Sequence, residues 1–176
     1  AWTRRPPLVT MNISRSSLLK RRAIALLVTA LALVNVTRAQ MLYVTSNTGG
    51  SVVQVTTGGV ASTYATGLTA PKGLAFGPNG NLYVSQDLSG TFTSSIAQVT
   101  VPGGVVSNHV TGLQYPMGLA FNTGGDLFIG SFSTPNGILK VASGTTTATT
   151  FSTGLSSAFG VAINSSGILF VANRDN

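Results

Sequence analysis

The sequence predicts an all-β fold, a β-propeller of four-stranded antiparallel blades, and three observations carry that prediction. The phrase Gly67-Leu68-Thr69-Ala70-Pro71-Lys72-Gly73-Leu74-Ala75-Phe76 returns as Gly112 to Phe121 and again as Gly154 to Ile163, at intervals of 45 and 42 residues. Each copy leads across a turn into a second echo, Leu82-Tyr83-Val84, Leu127-Phe128-Ile129 and Leu169-Phe170-Val171, and a further copy, Leu42-Tyr43-Val44, stands 40 residues upstream. Gly, Thr and Val dominate these segments and no 3.6-residue apolar stripe persists, so strands are favoured over helices. Four strands per unit with a period in the low forties mark propeller blades.

The first full unit shows how each strand is read. Gly73 to Phe76 is a short apolar run, and Gly77-Pro78-Asn79-Gly80 is a turn in which Asn and Gly supply positive φ. Asn81 to Ser85 is the second strand. Ser95 to Val101 alternates Ile96, Gln98 and Thr100 with Ala97, Val99 and Val101, the third strand, and Pro102-Gly103-Gly104 turns the chain into a fourth at Val105 to Val110. The next unit repeats the plan with Gly118 to Phe121, a turn at Asn122 to Gly125, then Asp126 to Gly130, Gly137 to Ala142 and Thr146 to Phe151. Leu82-Tyr83-Val84 is apolar without strict alternation because both faces of a blade stack on neighbours.

Ahead of the repeats lies a different kind of sequence. The formal charge is +7, yet Arg4, Arg5, Arg15, Lys20, Arg21, Arg22 and Arg38 all precede residue 40. Beyond it Lys72, Lys140 and Arg174 balance Asp87, Asp126 and Asp175, so the repeats are neutral and offer no basic face to nucleic acid. Residues 1–10 precede the first start, Met11, and stand outside the fold. Residues 11–39 have the order of a signal peptide with an N-terminal signal helix: positive charge, the apolar run Ala23 to Val34, and Thr37-Arg38-Ala39 before Gln40. That run is too short for a bilayer, so no stable span is expected after cleavage; an uncleaved anchor is the competing reading. The pair Arg21-Arg22 also weakly resembles a twin-arginine signal. The product is expected to be secreted, in the periplasm or outside the cell. It contains no cysteine, so its stability rests on burial and ladder hydrogen bonds rather than disulfides.

The Gly-Leu-x-x-Pro-x-Gly-Leu-Ala-Phe phrase, the Asn-Gly turn and the Leu-Tyr-Val strand resemble NHL-repeat propellers and their regucalcin/gluconolactonase and virginiamycin B lyase relatives, of six-bladed type. The resemblance covers Leu42 to Asn176. Residues 40–176 then read as a partial propeller of about three and a half blades: three strands from Gln40 to Ala65, two complete units, and two strands from Gly160 to Ala172. Asn176 is accordingly expected to be a truncation point. If the chain does end there, its open edges invite self-association, the basis for a third reading as a self-assembling surface or matrix protein.

In a propeller the loops entering each innermost strand and those between the second and third strands open on the channel face, where function gathers. The first set offers Lys72, Met117 and Phe159. The second offers Ser46 and Asn47, Gln86 and Asp87, Ser131 and Phe132, and Asn173, Arg174 and Asp175. Lys72 stands out as a cation for an anionic ligand. The resemblance to regucalcin implies a divalent metal held by carboxylate and amide groups. Asp87 and Asp175 are the candidate Ca²⁺ ligands, although such loop carboxylates also make turns. Asp126 falls in a hairpin turn on the opposite face and reads as structural. His109, the only histidine, falls in an outermost strand, where neither partner nor pocket is expected. No catalytic residue is assigned.

The leading functional expectation is thus a secreted binding module that takes a protein, glycan or small-molecule ligand on its channel face without a cofactor. The alternative is a metal-dependent lactonase-type hydrolase with Ca²⁺ ligands partly in missing blades.

Overall fold

The computed structural model describes residues 40–88, 93–133 and 137–174. The signal peptide read at 11–39, residues 1–10 and Asp175 lie outside the described residues. Strands β1 (Leu42–Ser46), β2 (Ser51–Val55) and β3 (Ala61–Ala65) form a three-stranded sheet. Two four-stranded sheets follow: β4 (Pro71–Phe76), β5 (Leu82–Gln86), β6 (Ser94–Val99) and β7 (Val106–Leu113), then β8 (Pro116–Phe121), β9 (Leu127–Ser131), β10 (Gly137–Val141) and β11 (Ala148–Thr153). A two-stranded sheet of β12 (Ala158–Ile163) and β13 (Leu169–Asn173) completes the set. Every sheet is antiparallel with its strands in chain order. Among the described residues the opening sheet has no innermost strand, since β1 carries the second-strand echo.

The predicted hairpin turns are present and repeat in detail. The Gly77 N–H donates to Asn81 O, Asn122 N–H to Asp126 O and Asn164 N–H to Ile168 O, at 2.9 to 3.1 Å. Gly80, Gly125 and Gly167 supply the positive φ at the turn. The innermost strands begin two residues earlier than the sequence suggests, at Pro71 and Pro116. A bulge there lets Pro71 pair with Gln86 while Leu74 pairs with Val84, and lets Pro116 pair with Ser131 while Leu119 pairs with Ile129.

Packing between blades explains why alternation is faint. Leu82, Val84, Ala97 and Val99 point back onto Val52, Ala65 and Leu68 of the first blade. Their neighbours Tyr83, Ile96, Val110 and Leu113 point forward onto Leu119, Leu127, Ile129, Leu139 and Val141. Phe128, Ile138 and Ala158 repeat the pattern one blade on, with Leu169 and Val171 packed against them. Each fully buried aliphatic side chain contributes about 1.5–3 kcal/mol. The end blades present the faces that inner blades cover: Leu42 and Val44 are 62% and 44% exposed, whereas their equivalents Leu82 and Val84 are at 0%.

Glycine sets the blade spacing. The Gly73 backbone lies so close to the Met117 carbonyl oxygen and Gly118 Cα that a Cβ there would overlap them. Gly118 repeats the approach to Phe159 and Gly160. The middle Gly of the recurring phrase is therefore the residue that lets neighbouring innermost strands touch.

Candidate functional site

Three equivalent positions in consecutive blades build the channel face. Ala70, Tyr115 and Ser157, each just before an innermost strand, hold left-handed φ values of 40°, 41° and 68°. Non-glycine residues persist there only when their surroundings hold them. Their carbonyls accept the N–H groups of Asp87, Phe132 and Arg174 respectively, at 3.4, 3.1 and 3.1 Å. The residues inside the following bulge are Lys72, Met117 and Phe159. One backbone device thus sets out two rows of side chains, 72/117/159 and 87/132/174, and the chain varies their chemistry.

In the second blade the two rows meet as an ion pair, Lys72 Nζ lying 3.7 Å from Asp87 Oδ2. In the third and fourth blades they form an aromatic and cationic cluster. Phe132 meets Phe159 edge to face with centroids 5.3 Å apart, and Tyr115 meets Phe132 at 6.3 Å. The Arg174 guanidinium carbon lies 5.9 Å from the Phe132 ring centre and 5.7 Å from that of Phe159. A guanidinium above aromatic rings keeps its edge donors in one plane, a geometry suited to a carboxylate.

The other predicted residues divide. Met117 is half-buried between the ion pair and the aromatic cluster in the row, and its carbonyl accepts from Ser85. Gln86 is buried and holds its own loop: its Oε1 accepts from the Thr69 N–H at 2.8 Å and its Nε2 donates to Ser95 Oγ at 3.1 Å. Ser131 Oγ donates within its loop, to Ser133 O at 2.8 Å with Gln114 O at 3.2 Å. Asn47 sits exposed in the β1–β2 turn, its carbonyl accepting from Gly50, and the structure gives it no contact with the aromatic cluster. Asn173 ends β13 beside Arg174. Asp175 lies outside the described residues. Tyr115 was missed by the sequence reading; its signal was an aromatic side chain immediately before the proline of the recurring phrase.

A Ca²⁺ site around Asp87 does not fit. Calcium takes six to eight oxygen ligands, whereas an ammonium already faces this carboxylate, and the amide of neighbouring Gln86 is committed to Thr69 and Ser95. Among the described residues no group of three His, Cys, Asp or Glu side chains comes together.

Away from the channel face, Asp126 has the structural role the sequence suggests. It accepts from Lys140, the Ser143 N–H and Asn122, and these bonds, the Lys140 one foremost, hold its carboxyl down at about 2. His109 departs from expectation. It has a ring partner, Tyr83, with centroids 4.9 Å apart, and it lines a cleft of about 210 Å³. The edge of a blade is not the edge of the molecule, because the next blade stacks against it.

With this geometry in hand, the chain can be set beside solved structures. A gluconolactonase-family protein superposes with a TM-score of 0.63 at 16% identity, over 77% of this chain and 54% of that one. Regucalcin from Agrobacterium tumefaciens, a calcium-binding protein, gives 0.61 at 18%, over 76% and 50%. Virginiamycin B lyase from Staphylococcus aureus gives 0.60 at 20%, over 76% and 45%. The fold is that of the gluconolactonase, regucalcin and virginiamycin B lyase β-propellers. No family model and no curated protein matches the chain. The chain spans about half the length of the solved structures it resembles. At these identities the likeness establishes architecture and leaves activity to be argued from the site.

Proposed function

We propose that this propeller is a binding module whose channel face takes a small planar anion, with a ring seated on Phe132 and Phe159 and the charge facing Arg174. The observation that carries this reading is the clustering of Tyr115, Phe132, Phe159 and Arg174 at positions that recur from blade to blade. Ionic attraction alone would be shared with many exposed cations; rings at fixed distance from a guanidinium add shape. Lys72 stands in the second blade beside Asp87, with no ring among the described residues against its ammonium to add shape.

The metal-dependent hydrolase alternative draws support from the relatives, one of which is named for calcium binding, and from Asp87 standing in the row. The Lys72 ammonium beside that carboxylate opposes it. Export through the leader at 11–39 belongs to the same proposal. It is tested by sequencing the N-terminus of exported protein, which should begin at Gln40.

The binding reading is tested by titrating isotope-labelled protein with 2-naphthoate and following backbone amide shifts. Saturable shifts at Phe132, Phe159 and Arg174, lost in the Phe132→Ala/Arg174→Ala variant with the remaining spectrum intact, support it. Shifts spread elsewhere, or unchanged in the variant, overturn it.

A further inference from the structure

The hairpin-turn face, opposite the channel loops, carries the cleft that His109 lines. Each of the first three blades carries there an edge-to-face ring pair between its second and outermost strands: Tyr43 with Tyr64, Tyr83 with His109, and Phe128 with Phe151. A third ring from the next blade joins two of these pairs, Phe76 on Tyr43 and Phe121 on Tyr83. The three outermost-strand positions are equivalent, each three residues before the Gly that opens the recurring phrase. His109 is therefore a heteroaromatic ring placed where the fold elsewhere uses Tyr or Phe.

That replacement changes the space as well as the chemistry. In the preceding interface the Tyr64 hydroxyl reaches across to donate to the Thr100 carbonyl at 2.9 Å, and the Gly104 backbone lies against the Tyr64 main-chain carbonyl. The shorter His109 ring has no such bridge. A cleft of about 210 Å³ lies between the two blades, walled by Tyr83, His109 and Phe121 and rimmed by Asn79, Ser143 and Thr145. A dry cavity of about 150 Å³ accepts benzene, so this space suits one substituted six-membered ring.

We propose that this cleft binds a small neutral ring compound bearing a hydroxyl or amine, its ring edge to face with Tyr83 and Phe121 and its polar group on the His109 imidazole. A neutral imidazole offers one N–H donor and one lone pair, and burial holds His109 towards that neutral form. Asn79 Nδ2 donates to Tyr83 Oη at 3.1 Å, which leaves the phenol O–H hydrogen to serve a ligand acceptor. The rings provide affinity and the imidazole provides selection.

Because the chain has one histidine, its imidazole protons give a single reporter in the NMR spectrum of the full chain. Titration with phenol should shift them saturably, with toluene binding at least fivefold more weakly. His109→Phe rebuilds the ring pair seen at Phe128 and Phe151, so its melting temperature should stay close to the parent's while phenol loses its advantage over toluene. Ala142→Phe, which places a ring at the cleft lining, should abolish the phenol response at His109. The proposal is overturned if phenol leaves the imidazole protons unmoved, if toluene binds as tightly as phenol, or if Ala142→Phe responds as the parent does.

Discussion

Ser85 Oγ donates a hydrogen bond to the Met117 carbonyl oxygen at 2.7 Å, joining the second strand of one blade to the innermost strand of the next. Thr45 Oγ1 makes the equivalent bond to the Lys72 carbonyl, also at 2.7 Å. Ser85 is fully buried and also accepts from the Gly73 N–H at 2.9 Å. Replacing it by Ala strands both backbone groups, and Ser85→Ala should cost about 1–3 kcal/mol. Thr45→Val should cost less, about 0.5–1.5 kcal/mol, because its site is half-exposed. Urea denaturation measures both.

A Cβ at Gly73 would collide with backbone rather than with a yielding side chain. Gly73→Ala should therefore destabilise by about 1–3 kcal/mol through forced separation of two blades. Gly58→Ala is the control: its new methyl meets only Thr56 Oγ1 at 3.8 Å, so the change should be neutral or stabilising by about 0.4–1 kcal/mol.

Two groups give stability a dependence on pH with a definite sign. Burial lowers the His109 pKa below 6.5, so the unfolded chain takes up its proton first. The contribution of neutral His109 is complete above 6.5 and is lost as pH falls through that value towards the folded-state pKa. Asp126 is held down at about 2 from 3.8, so its contribution is present above 3.8 and is lost as pH falls from there through about 2. Melting temperatures recorded against pH should show the first slope vanish in His109→Phe. The gap between parent and Asp126→Asn should close only in the acid window.

Calcium offers a clean discrimination between the two functional readings, since a ligand that prefers the native state raises the melting temperature. With the Lys72 ammonium beside Asp87, 10 mM CaCl₂ should leave the melting temperature of this chain unchanged. A rise of several degrees that disappears in Asp87→Asn would restore the metal-dependent alternative.

Much of the architecture was legible in the residues because the constraints repeat. Gly73, Gly118 and Gly160 are the same structural position, and the Asn turns at 79, 122 and 164 bond the same way, so a period in the sequence became a period in space. Lys72, Met117 and Phe159 fell together for that reason. Pairing across blades was not legible: nothing local in Tyr115, Phe132 or Arg174 says that they share a cluster, since they meet only after neighbouring sheets stack. The same blindness hid the His109 cleft, whose walls come from β5, β7 and β8. Gln86 and Ser131 looked like ligand contacts from their loops, but their side chains are taken up by loop backbone and a neighbouring serine, which only coordinates reveal.

The most direct measurement is the affinity of the parent and of Arg174→Met for 2-naphthoate and for its neutral amide, determined calorimetrically at low salt. The parent should favour the anion by about tenfold, the equivalent of one charge-assisted hydrogen bond. Arg174→Met should bind both compounds alike while melting as the parent does. Equal affinity of the parent for anion and amide, or a preference that survives in Arg174→Met, would contradict a channel face built to hold a planar anion.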